Sequence, residues 1–284
     1  MSDTNLTAYY RRVKKFITLP SGNNYYTENV IELSDGGEVG IRSMTSDDEL
    51  TLKNPDALLN GEAIKKVLLS CVEGLVKPES LLSNDVDVIL SSIRMATYKE
   101  QNYTVECPKC KKENSFSLDM ESLIEGHEKL EAEYKVNVGE DESLEVYVRP
   151  FLYSDKIKML KVLFEQEKIK SQIQTASSPE AALKTMSNSL KEISKLNLEL
   201  LVSSIYQLYD ASEDIDIQVS GKNRQDVYNL LKNLDLEAVQ RIEEKVKEIN
   251  DIGMEKTLTI KCDGCEHEWE TSFETNPVNF SLGS

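Results

Sequence analysis

Four of the five cysteines in this 284-residue chain fall into two Cys-x-x-Cys pairs, Cys107-Pro108-Lys109-Cys110 and Cys262-Asp263-Gly264-Cys265. A Cys-x-x-Cys turn brings two sulfurs onto one side of a tight knuckle, and two such turns supply the four ligands of tetrahedral zinc. The pairs lie too far apart for an ordinary zinc finger, but their flanks repeat. Residues 103–110 (YTVECPKC) align with residues 258–265 (LTIKCDGC), and apolar residues alternate on each exit (Phe116 and Leu118; Trp269 and Phe273). Two strand–knuckle–strand halves make one zinc ribbon, split by a long insertion. One structural Zn2+ shared by Cys107, Cys110, Cys262 and Cys265 is therefore the favoured reading. A redox or disulfide pair and unrelated core cysteines are the alternatives; a thioredoxin-like pair needs a βαβ setting that does not appear. Four protein thiolates leave no open position for water or substrate, so such a site is structural.

Little else points to chemistry. Cys71 sits on an apolar helical face and reads as core. His127 and His267 are the two histidines, and a surface position is expected for both. No glycine-rich phosphate cradle, nucleophile elbow or paired Cys/His arrangement is present, and no enzyme is expected. Lys109, Lys111 and Lys112 form a basic triplet beside the first pair, faced in the second by Asp263, Glu266, Glu268 and Glu270. With a net charge of −17, repulsion from a phosphate backbone is the default, so nucleic acid is disfavoured as a partner. A nucleic-acid-binding zinc-ribbon regulatory factor remains the alternative. No run approaches the roughly 20 apolar residues of a membrane span. The opening residues, with Arg11, Arg12, Lys14 and Lys15, do not read as a secretory signal, and a reducing cytoplasm is expected.

The elements that must hold the pairs are read from periodicity. Residues 1–28 look like a basic arm, ending in the turn-rich run from Leu19 to Asn24. Strands at 29–33 and 39–42, joined by Ser34-Asp35-Gly36-Gly37, form a hairpin. Thr45 can cap a helix whose first turn carries Asp47, Asp48 and Glu49. Helices over 61–75 and 84–97 complete a small bundle. Farther on, 144–148 alternates as a strand and 154–175 as a helix. Ser177-Ser178-Pro179-Glu180 punctuates it, and a second long helix runs to about 209. Its Leu183, Met186, Leu190, Ile193, Asn197 and Leu200 recur at steps of three and four. Two antiparallel helices are the favoured reading, with a coiled-coil seam as the other. A short strand at 215–219 and helices at 227–234 and 238–249 follow.

The resulting expectation is an α+β, mostly helical protein with an N-terminal β-hairpin, a helical bundle and a split four-cysteine zinc ribbon carrying a large helical insertion. Its segments are the arm (1–28), hairpin plus bundle (29–102), split ribbon (103–120 and 256–280) and a mainly helical insertion (121–255).

Several runs carry a resemblance. Leu19-Pro20-Ser21-Gly22 is followed by Tyr25 and by Arg42-Ser43-Met44-Thr45-x-x-Asp48-Glu49-Leu50. Leu68-Leu69-Ser70-Cys71-Val72 comes next, then Asp85, Ile89-Leu90, Ile93-Arg94 and Thr97-Tyr98. Asn276-Pro277-x-x-Phe280 follows the second cysteine pair. This order resembles the baseplate hub subunit and hub-assembly proteins of T-even-type contractile-tailed bacteriophages, least distinctly over residues 140–255. The resemblance implies a non-enzymatic late protein of tail morphogenesis, acting on the central hub before tube and sheath are built. Its partners would be other hub and tail proteins, met in the host cytoplasm. It would then remain as a virion component of the tail baseplate or leave as an assembly chaperone. The basic residues Arg11, Arg12, Lys14 and Lys15 and the capped helix after Met44 are candidate contact regions.

Overall fold

The computed structural model describes residues 10–54, 57–58, 60–98, 102–117, 119–139, 142–160, 179–255 and 257–272. The chain divides into two compact units, one from residues 1–130 with 253–284 and the other from residues 131–252.

The first unit opens with β1 (Val13–Thr18), paired antiparallel to β2 (Glu38–Arg42) with Ile17 opposite Val39. Residues 1–9 of the basic arm expected over 1–28 lie outside the described residues, and residues 13–18 of it are thus a strand. Its inward positions hide the alternation because Lys15 stands between Val13 and Ile17, its ammonium reaching Glu121 (2.6 Å) and Glu125 (3.2 Å). The expected hairpin partner, 29–33, docks elsewhere. Glu32 N–H donates to Gly74 O (3.0 Å) and Val76 N–H to Val30 O (2.9 Å). Gly74 permits this approach: its φ is +70°, and a Cβ there would lie 2.9 Å from the Glu32 Cβ.

Helix α1 (Ser46–Leu52) begins at Thr45, whose hydroxyl accepts from the Asp48 N–H while the Asp48 carboxylate accepts from the Thr45 N–H. Burial would raise the Asp48 carboxyl. Hydrogen bonds from Thr45 and Ser70 and the Arg11 guanidinium at 3.0 Å instead hold it below the usual carboxylate range. Thr45→Ala is expected to lower stability by about 1 kcal/mol. An unchanged thermal midpoint would mean that the remaining contacts of Asp48 hold the helix end without the cap.

α2 (Glu62–Cys71) presents Ala63, Val67, Leu68 and Cys71 inward. α3 (Ser83–Thr97) is buried on nearly every side from Asn84 to Arg94. Polar residues survive there because they find partners close by: the Ser91 hydroxyl donates to Asp87 O and that of Ser92 to Val88 O, each at 2.8 Å. Asp85 is fully buried and accepts from the Ser21 N–H (3.0 Å) and the Tyr26 hydroxyl. The Tyr26 oxygen in turn accepts from the Leu82 N–H at 2.8 Å. Strands β3 (Asn102–Glu106) and β4 (Glu113–Ser117), helix α4 (Met120–Glu125) and, from the far end of the chain, β9 (Thr257–Lys261) and β10 (Glu268–Ser272) complete the unit.

The second unit is built on a four-stranded antiparallel sheet in the order β5 (Tyr134–Val138), β6 (Leu144–Val148), β7 (Ile205–Asp210), β8 (Ile215–Gln218). Tyr134 lies opposite Val148, Val136 opposite Val146 and Val146 opposite Leu208, giving one apolar face. Against β5 and β6 packs α7 (Leu236–Asp251), which buries Ala238, Ile242, Val246 and Ile249 and is capped by Asp235. Preceding it are α5 (Pro179–Ser204) and α6 (Arg224–Asn233), which pack on each other. Residues 153–160 are also helical; the rest of the helix expected over 154–175 lies outside the described residues.

The expectation of a mostly helical protein is therefore overturned. Among the described residues helix makes up 42% and strand 24%, in four sheets, so the fold is mixed α/β. The segment expected to be mainly helical, 121–255, carries a four-stranded sheet. The helix expected to reach about 209 ends at Ser204, and the next residue starts β7. Leu201, Ile205 and Leu208 suit a helical period equally well, and pairing on both sides by β6 and β8 decides the strand.

Candidate metal centre

Two antiparallel ladders carry the cysteine pairs, both within the first unit. β3 and β4 pair from Asn102–Ser117 to Glu106–Glu113, and β9 and β10 from Thr257–Ser272 to Lys261–Glu268. Each ladder therefore closes on a six-residue connection that starts with the first cysteine of a pair. The two connections fold alike. Cys107 N–H donates to Lys112 O (2.9 Å) and Lys111 N–H to Cys107 O (3.0 Å); Cys262 N–H donates to His267 O (2.9 Å) and Glu266 N–H to Cys262 O (3.0 Å). The residue after the second cysteine is left-handed in both, with φ +64° at Lys111 and +56° at Glu266. That conformation is disfavoured for residues with a side chain. Its recurrence marks the same knuckle made twice.

The knuckles bring all four sulfurs together. The Sγ atoms of Cys107, Cys110, Cys262 and Cys265 lie within 4.8 Å of one another, and they are free thiols. Between the knuckles, Cys107 is 3.7 Å from Cys265 and Cys110 is 3.5 Å from Cys262. A disulfide needs about 2.05 Å, so these separations are not bonds. Tetrahedral zinc with metal–sulfur bonds of about 2.3 Å places its sulfurs about 3.8 Å apart, close to the 3.5 and 3.7 Å found between the knuckles. The four cysteines can hold a metal ion.

Charge supports this geometry. Burial pushes the Cys262 thiol up, but the Gly264 N–H at 3.3 Å, the Cys265 N–H and the thiols of Cys110 and Cys107 bring it down to about 6. At Cys265 a hydrogen bond from the His267 backbone lowers the thiol, but burial and the three neighbouring cysteines prevail and push it up to about 12. The neighbouring thiols thus favour one thiolate and resist another.

A residue that sequence reading passed over joins the knuckles. Asn114 is 4% exposed; its Nδ2–H donates to Lys112 O (2.8 Å) and its Oδ1 accepts from the Asp263 N–H (3.0 Å). The available signal was its inward position in β4, two residues before Phe116.

Other candidates fall outside the centre. Cys71 is buried in α2, where burial first and the Asp48 charge second push its thiol up to about 11. His127, expected at the surface, is 8% exposed, with Nδ1 2.6 Å from Ile124 O. The half-exposed His267 ring stacks on Trp269. In the basic triplet, Lys111 pairs with Glu106 at 3.2 Å and the Lys112 stem lies against Gly264. The expected exit residues Leu118 and Phe273 and the run from Asn276 to Phe280 lie outside the described residues.

In comparison with known protein families, residues 16–280 match the family described as T4 bacteriophage base plate protein. No curated protein and no solved structure matches the chain.

Proposed function

The chain belongs to the T4 bacteriophage base plate protein family, and from that premise we propose that it acts, without catalysis, in assembly of the central hub. As a phage baseplate structural protein it has other baseplate proteins as its contacts. The observation carrying the proposal is the family match, which spans both cysteine pairs and the segment between them. The order of motifs from Leu19-Pro20-Ser21-Gly22 to the second pair adds the hub assignment. Hub and tail proteins are then the direct partners, met in the host cytoplasm before the protein takes its place in the tail.

The same reading makes Cys107, Cys110, Cys262 and Cys265 the ligands of one structural Zn2+. What supports zinc is the donor set: four soft sulfurs within 4.8 Å of one another, with no histidine or carboxylate among them. When bound, the ion supplies the positive charge that lets four thiolates coexist. The chain's part is to hold the sulfurs in place through two knuckles of matching backbone geometry. Two short ladders with little apolar interior are thereby tied into one piece. Among the described residues, no helix is long and apolar enough to cross a membrane.

Affinity purification of the tagged protein from phage-producing cells, followed by mass spectrometry, tests the hub role. Hub, tube or tape-measure proteins at fixed stoichiometry are expected. Recovery of nucleic acid or transcription components in their place would overturn the proposal and make the ribbon a binding head.

A further inference from the structure

The two knuckles repeat in backbone but not in how they meet. Superposed on the sequence repeat, Asp263 takes the place of Pro108 and Trp269 that of Asn114. Proline has no N–H. The first knuckle therefore lacks the donor that Asp263 offers in the second, and the second lacks the amide that Asn114 offers in the first. One half carries a donor and the other carries its acceptor. The Asn114 side chain uses both ends: Nδ2–H holds the carbonyl of Lys112 in its own knuckle, and Oδ1 takes the Asp263 N–H of the other. The Lys112 bond matters because the same carbonyl accepts the Cys107 N–H, and so closes the first knuckle. At 4% exposure, Asn114 has little water to replace either partner.

We infer that Asn114 is the positioning residue of the four-cysteine centre, fixing the second knuckle against the first. It touches no sulfur in this role. It sets Asp263, and through Asp263 the adjacent Cys262 and the Gly264 N–H that donates to the Cys262 sulfur. Cys262 stands 3.5 Å from Cys110 across the two knuckles. Outer partners of this kind orient metal ligands, and losing one typically weakens metal affinity about 10–100-fold. The inference rests on the zinc reading above.

The test is competition for zinc between the full-length protein and a chromophoric chelator, for the wild type, Asn114→Leu, Asn114→Asp and Ser115→Ala. Ser115 is exposed on the other face of β4, and its variant is the control. Asn114→Leu is expected to weaken zinc binding about 10–100-fold while one ion per chain still binds through four thiolates. Cobalt substitution reads the geometry separately: the thiolate charge-transfer band persists, and the ligand-field bands shift as the tetrahedron distorts. Asn114→Asp keeps the acceptor for Asp263 but loses the donor to Lys112, and it is expected to fall between Leu and wild type. It also serves if the leucine variant does not fold. Amide exchange at Asp263 is expected to quicken in Asn114→Leu. Wild-type affinity and unshifted cobalt bands in both Asn114 variants would overturn this inference alone. A wild type that binds no zinc would overturn the zinc reading with it.

Discussion

Cys110→Ser or Cys262→Ser is expected to abolish zinc binding and to loosen both ladders, including the one that does not carry the substitution. The effect is large because structural zinc contributes on the order of 10 kcal/mol of folding free energy. It reaches both ladders because each knuckle supplies two of the four sulfurs, and sulfurs of opposite knuckles stand 3.5 and 3.7 Å apart. Serine preserves size but is a poor zinc ligand, so the remaining three thiolates face charge repulsion with a weakened ion site. Metal content per chain and amide exchange in β3–β4 and β9–β10 measure the outcome. Chelator treatment should reproduce it in the wild type and add little in either variant. Cys71→Ala should retain the metal, since Cys71 lies in the helical core. Full zinc retention in either serine variant would sink the shared site.

Asp85→Ala is expected to lower stability by about 2–4 kcal/mol. The carboxylate accepts from the Ser21 N–H and the Tyr26 hydroxyl, and alanine leaves both buried donors unanswered. The damage should spread to the Leu19–Gly22 turn, because Ser21 holds its place in that turn through this bond. Asp85→Asn separates geometry from charge, since it retains an acceptor. Burial first of all raises the Asp85 carboxyl, although hydrogen bonds from Tyr26 and Ser21 and the nearby His127 oppose it. A carboxyl raised on folding contributes stability that is complete below its unfolded value of about 3.9 and is lost as pH rises through the folded value. Asp85→Asn should remove that decline, so its stability relative to wild type should improve as pH rises above about 4. Denaturant midpoints across this range measure the difference. A constant difference between the two proteins would show that Asp85 does not titrate upward.

Much of the fold was legible because the controlling interactions are local. Thr45 with Asp48 marks a helix start within four residues, and α3 follows from apolar periodicity whatever surrounds it. Each cysteine knuckle is likewise a short-range object. Its β-branched entry, its two cysteines and its apolar exit all lie within a dozen residues, so the repeat could be found without knowing where the halves meet. The misread elements are those whose identity depends on a distant partner. Lys15 looks like part of an exposed arm until Glu121 and Glu125 are placed beside it. Residues 29–33 have strand character, but their partner is the segment around Gly74, which admits them because it has no side chain. Residues 205–210 carry a pattern that suits helix and strand alike until β6 and β8 flank them.

The amino-acid sequence by itself determined the family, the two cysteine pairs and most helices, because motif order and short-range periodicity are properties of the chain. Only the tertiary structure decided the mixed α/β class, the burial of Asp85 and His127, and the bridge made by Asn114. Each of those depends on hydrogen bonds or packing between residues far apart in sequence. A polar side chain carries no local sign of whether it will meet water or a buried partner, and that choice is made by the fold.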